Sequence, residues 1–206
     1  MAASRGSQQP LVLVHGLWDT PQLFRQLVTS LAGQRAPLLI PHLPHGLGQV
    51  PLGRLAEALD KKIQAAFGPD ASVDLLGFSM GGLVARAWIE NLGGHRRTRR
   101  FVCVGSPQRG TLMAQPVPRG LLAGIADMKI GSSFLRQLEA SQRLHPSRLG
   151  GVDCRSFFCP LDLLVVPSWR GVLPVGPIQA LPALTHPGLV SEPRSVAALC
   201  AVLLEP

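Results

Sequence analysis

Short, unbroken apolar runs alternate along this chain with longer stretches in which apolar residues recur every three or four positions. "LVLVHG" at 11–16 is a four-residue apolar run closed by glycine, the pattern of a strand buried on both faces. Thr20 then stands where a helix N-cap belongs and Pro21 at the first helical position, with Leu23, Phe24, Leu27, Val28 and Leu31 on one face behind them. "APLLIPHLPHG" supplies a second short strand and a Pro-rich loop. Leu52, Leu55, Ala56, Leu59, Ile63 and Phe67 give an amphipathic helix closed by Gly68-Pro69.

"SVDLLGF" (72–78) is a third strand, followed at 80–92 by a helix with an Arg86–Glu90 pair at i,i+4 and Gly93-Gly94 beyond its end. "RFVCVGSP" is the next strand, 107–131 an irregular, apolar-rich insertion with the place of a lid, and 132–144 a helix. "CRSFFCPLDLLVV" (154–166) is an apolar run read as strand, with Asp162 at the end of its "CRSFFCPLD" part; "PIQALPAL" reads as another, and 193–204 as a closing helix with Glu192 as its cap. Strands alternating with helices predict an α/β fold, a mostly parallel sheet with helices on both faces, in one domain over 1–206 with a flexible lead-in at 1–9.

Composition narrows this little. With 46% hydrophobic and 16% charged residues, the 206-residue chain is no disordered polymer, and 22 Gly with 19 Pro agree with long, turn-rich connections. The first ten residues carry one arginine and no apolar stretch of secretory length, and no run approaches the roughly 18–20 residues of a membrane span. Cys154 and Cys159 stand at an odd offset, which points them to opposite faces of a strand, too far apart for a disulfide. Cys103 and Cys200 read as small core hydrophobes. Reduced thiols and a cytoplasmic setting are expected.

The net charge is +8, concentrated in "HRRTRR" at 95–100. That cluster reads first as a solvated loop before a strand, and second as a weak contact for an anionic membrane surface. The chain has no Tyr and no aromatic residue interleaves with the cluster, so no nucleic-acid partner is expected.

The chemistry gathers at Gly77-Phe-Ser79-Met-Gly81, where a strand turns directly into a helix. A serine on so sharp a turn projects its hydroxyl beyond the sheet, with small residues needed two positions either side. Serine requires a base, and the base an acid. Among downstream histidines, His95 and His145 read as surface residues, whereas His186 lies on a loop at the same sheet edge as Ser79. Asp162 is the carboxylate at a strand's carboxyl end; Asp127, Glu139 and Asp153 fall elsewhere. The Leu17 and Met80 backbone N–H groups are placed to form an oxyanion hole. Trp18, Leu112, Met113, Leu121, Leu122 and Ile125 are candidates for an acyl pocket, with ordinary core as the competing reading. His15, His42 and His45 offer imidazoles without an accompanying acidic or cysteine ligand, so neither a metal nor another cofactor is expected.

These segments resemble the α/β-hydrolase superfamily, and within it compact bacterial lipases and esterases. "LVLVHGLWDTP" resembles the lipase oxyanion loop, "GFSMGG" the nucleophile elbow, and "VGSPQRGT" the segment after the following strand. The resemblance implies Ser79 as nucleophile, His186 as base, Asp162 as orienting acid, Leu17 and Met80 as oxyanion donors, and a small-molecule or lipid ester as substrate. An acyltransferase, thioesterase or haloperoxidase on the same residues, or a non-catalytic binding protein on this scaffold, are the alternatives.

Overall fold

The computed structural model describes residues 9–206, so the expectation for 1–9 falls, but for its last residue, outside the described part of the chain. Six parallel strands form one sheet: β1 (Leu11–Val14), β2 (Leu38–Leu39), β3 (Val73–Phe78), β4 (Thr98–Val104), β5 (Asp153–Phe158) and β6 (Ile178–Ala180), in the spatial order β2-β1-β3-β4-β5-β6. The α-helices are α1 (Arg25–Leu31), α2 (Leu52–Phe67), α3 (Met80–Asn91), α4 (Ala123–Asp127), α5 (Ser133–Leu144), α6 (Ser147–Gly150), α7 (Gly188–Ser191) and α8 (Pro193–Leu203).

The pleat sorts each strand's residues into two cores. Val12, Val14, Leu75, Phe101 and Cys103 face α2, α3 and α5, whereas Leu11, Leu13, Leu76, Phe78, Val102 and Val104 face α1, α7 and α8. Both faces are therefore covered, which is why the strands read as continuous apolar runs rather than alternating ones. Cys154 joins the first core and Cys159 the second, as their odd offset predicts; all four thiols are buried and free.

Two expectations are corrected, and two caps stand where expected without a side-chain cap bond. The apolar run at 154–166 is not one strand: β5 stops at Phe158, because Pro160 has no N–H to continue a ladder and the chain turns back on itself. Thr20 has the extended backbone of a cap but no side-chain cap bond, and a 3-10 turn, Pro21–Phe24, precedes α1. Glu192 stands at the start of α8, yet its carboxylate accepts the Leu184 N–H (3.1 Å) instead of capping the helix.

The basic cluster is the second correction. Its residues Thr98–Arg100 already belong to β4, and Arg97, Arg99 and Arg100 pair with Asp60, Asp74 and Asp153. Asp74 also holds the buried Arg35 at 2.6 Å. Only tertiary structure brings these carboxylates, from α2, β3 and β5, to the arginines. The cluster lies where β4 begins, at the opposite end of the parallel sheet from Ser79. Among the described residues no helix is long and apolar enough to cross a membrane.

Candidate active site

The strand order reverses direction at β1: β2 lies on one side of it, β3 and β4 on the other. In an open parallel sheet that switch point opens a crevice beyond the carboxyl ends of the two central strands. Here those ends are Val14 and Phe78, and Val14 pairs directly with Gly77. The segments leaving them are the 16–19 loop and the Ser79 turn.

Ser79 has φ 53° and ψ −128°, a conformation L-residues rarely adopt and one that costs about 1–3 kcal/mol. Its N–H donates to Val104 O at 2.9 Å, anchoring the turn on β4. The flanking glycines are required by contact. A Cβ on Gly77 would sit 2.5 Å from Gly82 Cα, and one on Gly81 would sit 2.2 Å from Val14 O and 2.5 Å from His15 O. The turn is thus wedged against β1, with no room for a side chain on either side of the serine.

Asp162 lies in the loop four residues past β5 rather than at the strand's end. Its Oδ1 accepts the N–H groups of Leu164 (2.8 Å) and Val165 (3.0 Å), which fixes the carboxylate, and its Oδ2 accepts His186 Nδ1–H at 2.6 Å. Both side chains are buried, 5% exposed for His186 and 2% for Asp162. The pairing assigns the His186 proton to Nδ1 and leaves Nε2 buried with no hydrogen-bond partner. The imidazole packs 4.8 Å from the ring of Phe78, the residue preceding Ser79, and its Cε1 would lie 3.2 Å from a Cβ on Gly105 at the end of β4. Sequence reasoning placed all three residues at this sheet edge, and the fold brings them to it.

As the first residue of α3, Met80 has an N–H without an intrahelical acceptor. Leu17 belongs to the loop pressed on the turn: a Cβ on Gly16 would meet Ser79 Cβ at 2.9 Å. The pocket candidates divide. Trp18 (66%), Leu112 (51%) and Met113 (55%) are exposed, as is Leu121, so ordinary core is not their role; Leu122 is half-buried, and Ile125 is buried against Gly48. The 107–131 insertion is fastened to the Asp162 loop by Thr111 Oγ1–H to Leu164 O (2.8 Å) and Leu112 N–H to Val166 O (2.9 Å). The remaining candidates are occupied elsewhere. Asp127 accepts the Leu52 N–H and holds Arg119, Asp153 pairs with Arg100, and His145 is exposed beyond α5.

Asp19 escaped sequence reasoning, and His45 was weighed there only as a metal ligand. Asp19 Oδ2 would lie 2.7 Å from the same Gly16 Cβ position that Ser79 approaches, so a second carboxylate borders the serine. Burial raises its pKa, while His186, His45 and a backbone bond from Gly16 oppose the rise. His45 accepts the Trp18 N–H at 3.1 Å. Asp19, two residues beyond the oxyanion donor, carried a signal in its spacing; His45 carried none, because its partner is 27 residues away. The rings of His15, His42 and His45 stand together, and among the described residues no three His, Cys, Asp or Glu side chains are placed to hold a metal ion.

Similarity to known proteins agrees with this architecture. The lysosomal thioesterase PPT2 of Mus musculus is 32% identical over 114 residues, which cover 53% of this chain and 37% of that protein. The alignment therefore spans well under half of the relative's length. A mature lipase of Bacillus licheniformis superposes with TM-score 0.72 at 14% identity, covering 98% of this chain and 94% of that one. Lipase B of Aspergillus fumigatus gives 0.73 at 18% identity, with 100% of this chain and 55% of that one covered. The family model for the α/β hydrolase fold matches residues 9–176, a span that includes both the Ser79 turn and the Asp162 loop; this chain belongs to the α/β-hydrolase fold family.

Proposed function

We propose that the protein hydrolyses carboxylic esters of acyl chains, through an acyl-enzyme on Ser79. The observation that carries this reading is the Asp162–His186 hydrogen bond of 2.6 Å, which leaves a buried imidazole Nε2 free beside a strained turn whose serine is half-buried. Asp162 holds the tautomer whose Nε2 lone pair removes the Ser79 proton as Oγ attacks the ester carbonyl. The developing oxyanion takes hydrogen bonds from the Leu17 and Met80 amides, donors that need not reorganise and are worth several kcal/mol of barrier. His186 returns the proton to the leaving alcohol. Water, activated by the same nitrogen, then releases the acid and regenerates the serine. No cofactor enters any step.

The apolar side chains exposed on the loops around the turn favour an acyl group as the part of the substrate recognised. Similarity to a lysosomal thioesterase supports a second reading, in which the leaving group is a thiol. The two differ only in that group, so matched oxyesters and thioesters of graded acyl length separate them. Ser79→Ala is expected to abolish turnover of every active substrate while leaving the unfolding transition in place. Activity retained by that variant in a clean preparation would sink the assignment, and a fluorophosphonate probe that fails to label Ser79 would favour a non-catalytic scaffold.

A further inference from the structure

The loop that leaves β1 is backbone-strained at the residue after the proposed oxyanion donor: Trp18 has φ +61°. A bulky residue stays in that conformation only where its surroundings over-determine it. What holds it here is the segment 42–48. Trp18 N–H donates to His45 Nε2 (3.1 Å), and Trp18 Nε1–H donates to Leu47 O (3.3 Å), Leu47 itself having φ +55°. His15 ties the two segments a second time: its Nε2 accepts the Leu43 N–H (3.1 Å), and its Nδ1–H donates to Gly16 O (3.0 Å). Two imidazoles and one indole thus join the segments, and the imidazoles make the bonds to backbone N–H groups.

We propose that His45 is a positioning residue for the oxyanion hole: its unprotonated Nε2 accepts the Trp18 N–H and thereby fixes the direction of the adjacent Leu17 N–H. The reading rests on the acyl-transfer function proposed above. The logic is donor against acceptor. A neutral His45 with its proton on Nδ1 presents a lone pair to Trp18. A protonated ring presents an N–H to an N–H, the tie breaks, and the strained loop is free to relax.

The surroundings of His45 keep it neutral. The ionisable groups that face it are His15, with ring centroids 6.2 Å apart, His42 and Asp19, and behind Asp19 lies His186. Burial lowers the His45 pKa first and His42 lowers it further, against the Asp19 backbone carbonyl and carboxylate, which raise it. Burial likewise lowers the pKa of His15, with His42 and His45 adding to the effect and the Gly16 carbonyl opposing it. A ring held neutral in the folded state contributes stability that is present above the ordinary value of 6.5 and is lost as the pH falls below it.

Two substitutions and one spectroscopic measurement test the proposal. Gln places a carbonyl oxygen near the Nε2 position, accepting a hydrogen bond but never titrating. His45→Ala is expected to lower kcat about 10-fold or more, below the 10²–10³ of deleting an oxyanion donor, with KM changed less than about 2-fold. His45→Gln is expected to recover most of kcat. In the Ser79→Ala protein, nitrogen-15 NMR of the imidazoles is expected to find His45 as the Nδ1–H tautomer, protonating below 6.5. Wild-type kcat in His45→Ala, equal impairment in His45→Gln, or an Nε2–H tautomer would each overturn the proposal. A wild-type protein that turns over no ester would remove the proposed function, and the NMR result would still decide whether the tie exists.

Discussion

At Ser79 the backbone carries a cost that its neighbours sustain. The turn is held by β1 on one side, by the bond to Val104 on the other, and by two glycines that cannot become anything larger. The strain resides in φ and ψ, not in the hydroxyl, so removing the oxygen does not release it. Ser79→Ala is therefore expected to unfold close to wild type, whereas Ser79→Gly is expected to be more stable than Ser79→Ala by about 1 kcal/mol, read as a rise in Tm. Equal melting temperatures for the two variants would show that the turn is not strained. The residue scale was also where the sequence was most legible. Gly-x-Ser-x-Gly at a strand–helix junction is a local device, written in five consecutive residues, and it lies where expected. Asp19 and the contact of His45 with Trp18 were missed because a side chain's neighbours across a crevice leave no trace in its own segment.

Among the elements, α2 was legible to its last residue: its apolar stripe and Gly68 stop mark Leu52–Phe67. Strand β5 was not, since apolar residues in a buried loop look like those of a buried strand until the partner strand is known. Helix α3 misled in another way. Arg86 and Glu90, spaced i,i+4, have the signature of a solvent-exposed pair, yet both are buried, because α2, α5 and α6 cover the helix around the sheet. Gln108 adds a third polar group, its Oε1 accepting from Arg86 Nη1 at 3.3 Å. A surface pair is worth a few tenths of a kcal/mol, but a buried one leaves an uncompensated charge when broken. Arg86→Ala is expected to destabilise by about 3–5 kcal/mol in urea unfolding, and the double replacement Arg86→Met with Glu90→Leu to recover much of that loss. If the single variant falls by less than about 1 kcal/mol, water reaches Glu90 and the pair is not sealed.

The whole molecule is polar in the directional sense. Arg97, Arg99 and Arg100 are paired with Asp60, Asp74 and Asp153 where β4 begins, and the large apolar side chains left exposed include Trp18, Leu112, Met113 and Leu163 on loops at the carboxyl edge. Three of the four arginines in "HRRTRR" are thus already neutralised from within. Any contact with an anionic lipid surface is expected to run through the apolar edge instead. Leu121→Ser and Leu163→Ser are expected to reduce turnover of micellar esters several-fold more than that of monomeric short-chain esters. Arg96→Gln is expected to change neither. A micellar defect that follows Arg96 rather than the leucines would return the contact to the basic end.

The four free thiols sit in the two cores, on both sides of the sheet. Burial pushes Cys103 and Cys154 up to about 12 and raises Cys159 and Cys200 as well. An alkylating reagent attacks the thiolate, so it has almost nothing to react with while the protein is closed. The cysteines thereby form a set of internal clocks: under conditions where modification outpaces reclosing, their labelling rates measure how often each core opens. Cys103 and Cys154 time the face beneath α3, and Cys159 and Cys200 time the face beneath α8, so the two halves of the sandwich can be followed separately without introducing a single probe.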